Sequence, residues 1–113
     1  MIRVYVCGKL NDMACYYLKN VSIMCKASIE LKKMGFAAYN PCLDLIEGMI
    51  AGDLGYSDYF EPNNEWMKQA QIVFVLPNYT TSIVAKKEIQ TADKLDIPIV
   101  YSIEELLEIA EEL

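Results

Sequence analysis

The sequence predicts an α/β fold in which helices cover both faces of a parallel sheet of about four strands. Short apolar runs rich in β-branched residues alternate with longer segments of helical periodicity. The run Ile72–Leu76 is apolar throughout, which is typical of a strand buried on both faces. Right-handed crossovers and a central first strand favour the order 2-1-3-4. We therefore predict a three-layer Rossmann/flavodoxin-like fold, with residues 1–113 forming one domain.

The first part of the chain is predicted to form two strands and a long helix. Apolar residues recur at helical spacing in the helix, and a glycine follows it as the C′ residue. A proline ends the second strand. The predicted elements are the strand Ile2–Cys7, the loop Gly8–Met13, a helix from about Cys15 to Met34 with Gly35 after it, and the strand Phe36–Asn40 before Pro41.

The rest of the chain is predicted to add a short helix, an irregular loop and two further strands with their helices. Pro62 suits the first turn of a helix, and the Ser102–Glu105 pattern is a capping box. The predicted elements are a helix near Leu43–Ile50, a mobile loop up to about Phe60, a helix from Pro62 to about Ala70, the strand Ile72–Leu76, a helix capped by Thr81 or Ser82, the strand Ile97–Tyr101 and a final helix.

Composition narrows the functional classes. The net charge is −6 and the chain contains no His, which argues against duplex nucleic acid and removes His as a base or metal ligand. The four cysteines form no C-x-x-C pair, so we expect no metal site and no cofactor, and reduced thiols in a cytoplasmic protein. No signal peptide or membrane span is apparent, so no membrane partner is expected.

Glu88 is an anomaly in the helix that follows Ile72–Leu76. At roughly 100° per residue, the apolar residues of this helix fall in one arc of roughly 140°, and Glu88 lies in the middle of it. A carboxylate on a buried stripe loses hydration and requires a partner or a chemical role. The pattern alone is consistent with a paired core or interface acid as well as with a functional carboxylate.

The predicted strand order places Glu88 close to a ligand-binding edge. Ligands of open α/β sheets bind at the carboxyl ends of the strands where the strand order reverses, here between strands 1 and 3. The helix bearing Glu88 begins at this edge, and its N-terminus favours an anion. The substrate contacts expected at this edge are Gly8, Lys9, Asn78, Tyr79 and Ser82.

These residues favour an enzyme that cleaves or transfers a glycosyl group. Glu88 would attack an anomeric carbon and form a glycosyl-enzyme intermediate. Tyr5 would orient or activate Glu88, while Ser82, Lys9 and the helix N-terminus would hold a phosphate. A nucleobase is an easier leaving group than a sugar oxygen, so one dominant carboxylate and a weaker acid could suffice.

Other classes fit less well. A phosphocysteine carrier or cysteine phosphatase would use Cys7, but Met13 stands where low-molecular-weight phosphatases have an Arg, and the loop Lys9–Asp12 is bulky. A receiver domain would have an acceptor Asp at the end of strand 3, where this chain has Leu76–Asn78. A non-catalytic nucleotide-binding module would use the same pocket, and only turnover distinguishes it from the enzyme.

The chain resembles the nucleoside 2-deoxyribosyltransferase-like superfamily, which includes deoxynucleoside 5′-monophosphate N-glycosidases and small proteins of the DUF4406 type. Tyr5–Gly8 is similar to the opening strand of that group, and Trp66 before Ile72–Leu76 is similar to its middle. The segment Leu76–Glu88 matches the pattern L-P-G-W-x-x-S-x-G-A-x-x-E at identical spacing. The resemblance implies that Glu88 is the nucleophile, Ser82 a phosphate contact and Tyr5 a catalytic-site hydroxyl.

The chain departs from the pattern of this superfamily at several positions. Asn63 stands where the superfamily usually has an Asp that supports protonation of the leaving base, and Val84 replaces a Gly. Lys9 and Asn11 stand where the nucleotide hydrolases often have Ser and Arg. We still expect Asn63 to be a catalytic-site residue, and we expect Asn11 and Val84 to contact the substrate. The acids expected to replace the missing one are Glu61, Glu65 and Asp58.

The sequence therefore predicts hydrolysis or transfer at the N-glycosidic bond of a small-molecule nucleoside or nucleotide. Small relatives in the superfamily are similar in forming dimers or larger rings. The aromatic residues Tyr56, Tyr59 and Phe60 would be costly to leave in water, so we expect a homo-oligomer, with a homodimer as the simplest form.

Overall fold

The computed structural model describes residues 1–11 and 13–113, so Asp12 of the predicted Gly8–Met13 loop lies outside the described residues. The chain alternates strands and helices as the sequence predicts. The elements are β1 (Arg3–Cys7), α1 (Ala14–Lys33), β2 (Ala37–Tyr39), α2 (Leu43–Ala51), α3 (Tyr56–Met67), β3 (Ile72–Val75), a 3-10 turn (Pro77–Thr81), α4 (Ile83–Lys94), β4 (Ile99–Val100) and α5 (Ile103–Glu111).

The strands form a four-stranded parallel sheet in the order β2-β1-β3-β4, which confirms the predicted topology. β1 is central because it pairs with both β2 and β3: Tyr5 lies opposite Tyr39 on one side and Val73 on the other. The strand order therefore reverses between β1 and β3. The chain segments that leave β1 and β3 meet at one edge of the sheet, where the Leu76 amide donates to the Cys7 carbonyl at 2.8 Å.

Alternation along β1 divides the core into two layers. Val4 and Val6 pack with residues of α1 and α5 on one face, including Leu31 and Leu106. Tyr5 and Cys7 point to the opposite face and pack with residues of α3 and α4. This parity places the Tyr5 hydroxyl and the Cys7 thiol on the side of the sheet that α4 covers. The residues of that second layer are Tyr5, Cys7, Met67, Val73, Val75, Ala85 and Ala92.

The segment before β3 differs from the prediction. The expected mobile loop up to about Phe60, followed by a helix beginning at Pro62, was wrong: α3 already begins at Tyr56 and Pro62 lies inside it. The helix begins early because the Gly55 amide donates to Asp58 Oδ2 at 2.8 Å, which caps the first turn. Residues 52–55, between α2 and α3, are irregular, and Gly52 ends α2 with φ of 76°.

Local signals elsewhere fixed the helix ends correctly. Gly35 has φ of 95°, as a residue after a helix C-cap often requires. Ser82, one of the two predicted caps, begins α4, and its Oγ accepts from the Ala85 amide at 3.0 Å. Ser102 caps α5 by accepting from the Glu105 amide at 3.1 Å, while the Glu105 carboxylate accepts from the Tyr101 amide.

The α4 stripe is narrower than the predicted apolar arc. Ala85, Glu88 and Ala92 are buried, Ile89 is half-buried, and Leu95 at the end of the helix is exposed.

None of the helices within residues 1–11 and 13–113 combines the length and apolar character that a membrane span requires.

Candidate active site

The centre of the candidate site is a hydrogen bond between β1 and α4. The Tyr5 hydroxyl donates to Glu88 Oε2, and the Glu88 side chain is only 3% exposed. The Cys7 thiol lies 3.8 Å from Glu88 Oε1 and 3.6 Å from the Ala85 carbonyl. Tyr5 and Cys7 are two residues apart on β1, so both side chains point to the α4 face and reach the same carboxyl group. The carboxyl group predicted as the nucleophile is therefore buried and hydrogen-bonded.

Burial dominates the electrostatics of Glu88. The pKa of Glu88 is raised to about 7, and loss of hydration is the largest cause. The donors Tyr5 and Cys7 act to lower this pKa, and the Asp44 carboxylate acts to raise it. A carboxyl group with a pKa near neutrality changes its charge in the range where most enzymes operate. Glu88 is thus poised between the protonated and ionised forms.

The two partners of Glu88 are neutral donors. Burial raises the pKa of both the Tyr5 hydroxyl and the Cys7 thiol well above their usual ranges, and the nearby Glu88 carboxylate raises them further. A thiolate is the nucleophilic form of cysteine, and burial of this kind disfavours it. The environment of Cys7 therefore speaks against the alternative of a phosphocysteine intermediate.

Aromatic stacking holds Tyr5 in place beneath the carboxyl group. The Tyr5 and Tyr39 rings, which lie opposite each other on β1 and β2, stack with centroids 5.5 Å apart. The Tyr39 ring in turn stacks on Trp66 of α3 at 5.7 Å. This row of three rings restricts the motion of Tyr5, so its hydroxyl remains directed at Glu88.

Glu88 lines a cavity of about 390 Å³ at the carboxyl ends of β1 and β3. The predicted site residues Asn63 and Ser82 line it from α3 and the start of α4. Its volume suits a small molecule rather than a polymer. The remaining lining residues include Gly8, Leu10, Asn11, Tyr17, Pro41, Asp44, Leu54, Gly55, Tyr56, Tyr59, Phe60 and Val84.

Close packing explains the glycine at the start of the loop after β1. A Cβ added to Gly8 would lie 2.8 Å from Leu76 Cδ1 and 3.1 Å from Asn78 Oδ1. The absence of a side chain lets the chain turn directly against the segment that follows β3. Gly8 therefore shapes the wall of the cavity through its backbone.

Lys9, Asn78 and Tyr79, also predicted as substrate contacts, lie beside this cavity and are not among the residues that line it. Asn78 braces the edge, because its Oδ1 accepts from the Lys9 amide at 2.9 Å. Lys9 Nζ donates to Thr81 Oγ1 at 3.1 Å, one residue before the α4 cap. The Tyr79 ring contacts the Tyr101 ring with centroids 5.5 Å apart.

Asp44 of α2 is a site residue that the sequence analysis missed. It lines the same cavity as Glu88, and its Oδ2 accepts from Asn63 Nδ2 at 2.9 Å. The Tyr39 hydroxyl donates to the other end of that amide, Asn63 Oδ1, at 3.2 Å. A signal was available, because the segment after β2 leaves the same edge of a parallel sheet as the segments after β1 and β3.

The acids proposed to replace the missing one lie elsewhere. Asp58, Glu61 and Glu65 border a different cavity, together with Lys68 and Thr91. Asp58 accepts from the Gly55 amide, and Glu65 pairs with Lys68 at 2.7 Å on the exposed side of α3. These acids are therefore not brought together with Glu88.

Fold and site together define an α/β protein with a carboxyl-centred cavity at the reversal point of a parallel sheet. Residues 2–101 match the family described as Domain of unknown function (DUF4406), so the chain belongs to that family. No curated protein and no solved structure matches the chain significantly. The family description names no activity, and the function must therefore be inferred from the site.

The raised pKa of Glu88 predicts an unusual dependence of stability on pH. Below pH 4.5 the carboxyl group is protonated in both the folded and the unfolded chain, while between pH 4.5 and about 7 only the folded chain retains the proton. The free energy of unfolding should therefore fall by about 1.4 kcal/mol per pH unit from this group, or about 3 kcal/mol in total.

Denaturant unfolding between pH 4 and 8 gives the free energy of unfolding of wild type and of Glu88→Gln as a function of pH. The difference between these two curves measures the contribution of Glu88. Glu108→Gln, a matched change at an exposed position of α5, should run parallel to wild type. Parallel curves for wild type and Glu88→Gln would show that Glu88 titrates normally.

Proposed function

We propose that this protein cleaves or transfers the N-glycosidic bond of a nucleoside or nucleoside 5′-monophosphate, with Glu88 as the nucleophile. The observation that carries the proposal is the Glu88 carboxyl group, which is buried, hydrogen-bonded by Tyr5 and in contact with a cavity of about 390 Å³. The protein would act in the cytoplasm, and the reaction uses only side chains and water.

In the proposed reaction, a Glu88 carboxylate oxygen attacks the anomeric carbon while the bond from that carbon to the base nitrogen breaks. Tyr5 holds Oε2 firmly, whereas Oε1 has only the weak Cys7 thiol donor at 3.8 Å. Oε1 is therefore the better nucleophile. Water, or a second base, then displaces the carboxylate and releases the sugar product.

The motif Leu76–Glu88 supports the same assignment. Its spacing matches the nucleoside 2-deoxyribosyltransferase-like pattern, and Ser82 and Glu88, the two motif positions with assigned roles, both line the cavity. On this proposal the DUF4406 chain is a small member of that superfamily. The departures at Asn63 and Val84 also lie in the cavity wall, where they would alter rate and substrate choice.

Chromatography of a panel of nucleosides and 5′-monophosphates after incubation tests the activity through the release of free base. We expect turnover by wild type and a loss of at least ~10³-fold in Glu88→Gln, since removal of a catalytic nucleophile costs up to about 10⁶-fold in other enzymes. Glu108→Gln should retain the wild-type rate.

Undiminished turnover in Glu88→Gln would remove the nucleophile from this proposal. Calorimetric binding of a nucleotide without any release of base would identify the protein as a non-catalytic nucleotide-binding module instead.

A phosphate group would be held at the start of α4. Ser82 Oγ accepts from the Ala85 amide, which leaves the hydroxyl hydrogen available for donation into the cavity. The N-terminus of α4 carries partial positive charge, and Lys9 Nζ lies within hydrogen-bond distance of the neighbouring Thr81. Of these groups, Ser82 lines the cavity, while Lys9 and Thr81 are not among its lining residues.

We therefore expect a 5′-monophosphate to bind more tightly than its nucleoside by about 1–3 kcal/mol, the range of charge-assisted hydrogen bonds. Calorimetry in a Glu88→Gln background, which prevents turnover, measures both affinities. Ser82→Gly preserves a favourable N-cap but removes the hydroxyl, so it should reduce the preference. Equal affinities in the parent background would eliminate the phosphate site.

An apolar surface on α2 supports a homo-oligomer, most simply a homodimer. None of the nine residues of α2 is buried, although most are apolar, and Ile50 is 82% exposed. An apolar helix without cover favours burial against a second copy of the chain. Tyr56 at the start of α3 extends this surface beside the cavity. The apolar residues exposed on α2 are Leu43, Ile46, Met49 and Ile50.

Light scattering should show a dimer or larger assembly at micromolar concentration, and Ile46→Glu together with Ile50→Glu should yield a folded monomer. Ile83→Glu on α4 is the matched control, because Ile83 is equally exposed at 75% but lies on another helix. A monomeric wild type, or dissociation caused only by Ile83→Glu, would refute assembly through α2.

A further inference from the structure

We propose that Asp44 is the general acid that protonates the departing base, and that Asn63 is a positioning residue that holds it; this inference rests on the proposed function. Asp44 and Glu88 line the same cavity from different elements, α2 and α4. A substrate in this cavity would contact both carboxyl groups. The chain thus retains two acids at the site although Asn63 occupies the position where an acid was expected.

The contacts of Asn63 fix its orientation. Asn63 is 7% exposed, and both ends of its amide are engaged, by Asp44 Oδ2 and by the Tyr39 hydroxyl. A carboxylate can only accept hydrogen bonds, so the amide must present its NH₂ group to Asp44 and its oxygen to Tyr39. The Tyr39 ring is itself stacked between Tyr5 and Trp66. A chain of hydrogen bonds and ring contacts therefore positions the Asp44 carboxyl group.

The same contacts leave Asp44 suited to donate a proton. Asn63 engages Oδ2, and Oδ1 is the oxygen that would carry the proton toward the base. Burial raises the pKa of Asp44 and the nearby Glu47 raises it further, while the Asn63 hydrogen bond acts to lower it. The other titratable groups facing Asp44 are Tyr17 of α1, Tyr39 of β2, Cys42 just before α2 and Glu88 of α4.

The proposed reaction has two steps, and Asp44 exchanges a proton in each of them. Glu88 forms a bond to the anomeric carbon, the electron pair of the glycosidic bond goes to the base, and the Asp44 proton goes to the same base. The products are a glycosyl ester on Glu88, a neutral base and an Asp44 carboxylate. In the second step the water oxygen bonds to the anomeric carbon while Asp44 takes a proton from that water, and the bond from the anomeric carbon to Glu88 breaks to regenerate the carboxylate.

The reactive form carries the single proton of the pair on Asp44; because burial raises the pKa of Glu88 to about 7, this form is in equilibrium with one that holds the proton on Glu88. Ionisation of Glu88 and protonation of Asp44 are both required, so base release should follow a bell-shaped pH profile that belongs to the coupled pair. A leaving group that needs no proton would require only the ionised Glu88. Its release should rise with pH and reach a plateau without an alkaline limb.

Single-turnover rates of wild type, Asp44→Asn, Glu47→Gln and Glu88→Gln test the assignment with two substrates. The first is the best nucleoside or nucleotide of the panel, and the second is the p-nitrophenyl glycoside of the same sugar, whose leaving group departs as an anion. Asp44→Asn retains the volume and can still accept from Asn63. Glu47 is an exposed acid on the same helix and provides the charge control.

We expect Asp44→Asn to slow base release by ~10²–10⁴-fold, the usual contribution of a positioned general acid, and to leave p-nitrophenol release close to wild type. Asp44→Asn should also lose the alkaline limb of the base-release profile, whereas Glu47→Gln should retain the limb and move it to lower pH, because Glu47 raises the pKa of Asp44. Glu88→Gln should abolish the release of both products.

Two results would overturn the inference and leave the proposed function standing: equal slowing of both substrates by Asp44→Asn, or no slowing of either, with Glu88→Gln inactive. The wild-type profiles provide a test that needs no variant, because an alkaline limb shared by both substrates also contradicts the assignment. If wild type releases neither base nor p-nitrophenol, the proposed function fails and the role of Asp44 fails with it.

Discussion

The site depends on the hydrogen bond from Tyr5 to Glu88, because it joins the central strand to the helix that covers it inside the core. Burying a carboxyl group without a partner costs several kcal/mol or more, and a donor from the sheet offsets part of this cost. The bond forms only if β1 presents its odd-numbered residues to α4. A shift of one residue in strand register would instead direct Val4 and Val6 at Glu88. The register of the central strand therefore determines whether the hydrogen bond from Tyr5 to Glu88 can form.

The sequence defined much of this arrangement in advance. Strands alternating with helices, right-handed crossovers and a central first strand predicted the order β2-β1-β3-β4, and the position of Glu88 on the apolar stripe of its helix predicted a buried carboxyl group. These signals are strong because each depends on local spacing or on chain topology. The face to which Tyr5 points could not be derived, since a strand of five residues buried on both sides shows no alternation of polarity.

The errors and omissions cluster between β2 and β3, and they have a common cause. Pro62 was interpreted as a helix start, yet the Gly55 and Asp58 contact begins α3 earlier and the proline is tolerated inside the helix. Asp44 was missed because its significance arises from packing: α2 has no buried residue of its own, so no periodic pattern showed which side faces the cavity. Contacts between side chains of α2 and α3 are tertiary facts that propensity cannot supply.

The pairing of Asp44 with Asn63 also suggests why an amide serves at this position. An acid at position 63 would lie 2.9 Å from the Asp44 carboxyl oxygen and 3.2 Å from the Tyr39 hydroxyl, where two carboxyl groups would have to share a proton. With Asn63 no proton has to be shared at this contact, and the amide supplies a neutral donor that holds the Asp44 carboxyl group in place. Glu88 and Asp44 then differ in environment: burial dominates both, but the donors of Glu88 come from the rigid sheet, and the donor of Asp44 comes from a helix at the cavity wall. The proposed mechanism requires one carboxyl group as a nucleophile and the other as a proton donor, and two carboxyl groups in unequal surroundings can take these different roles.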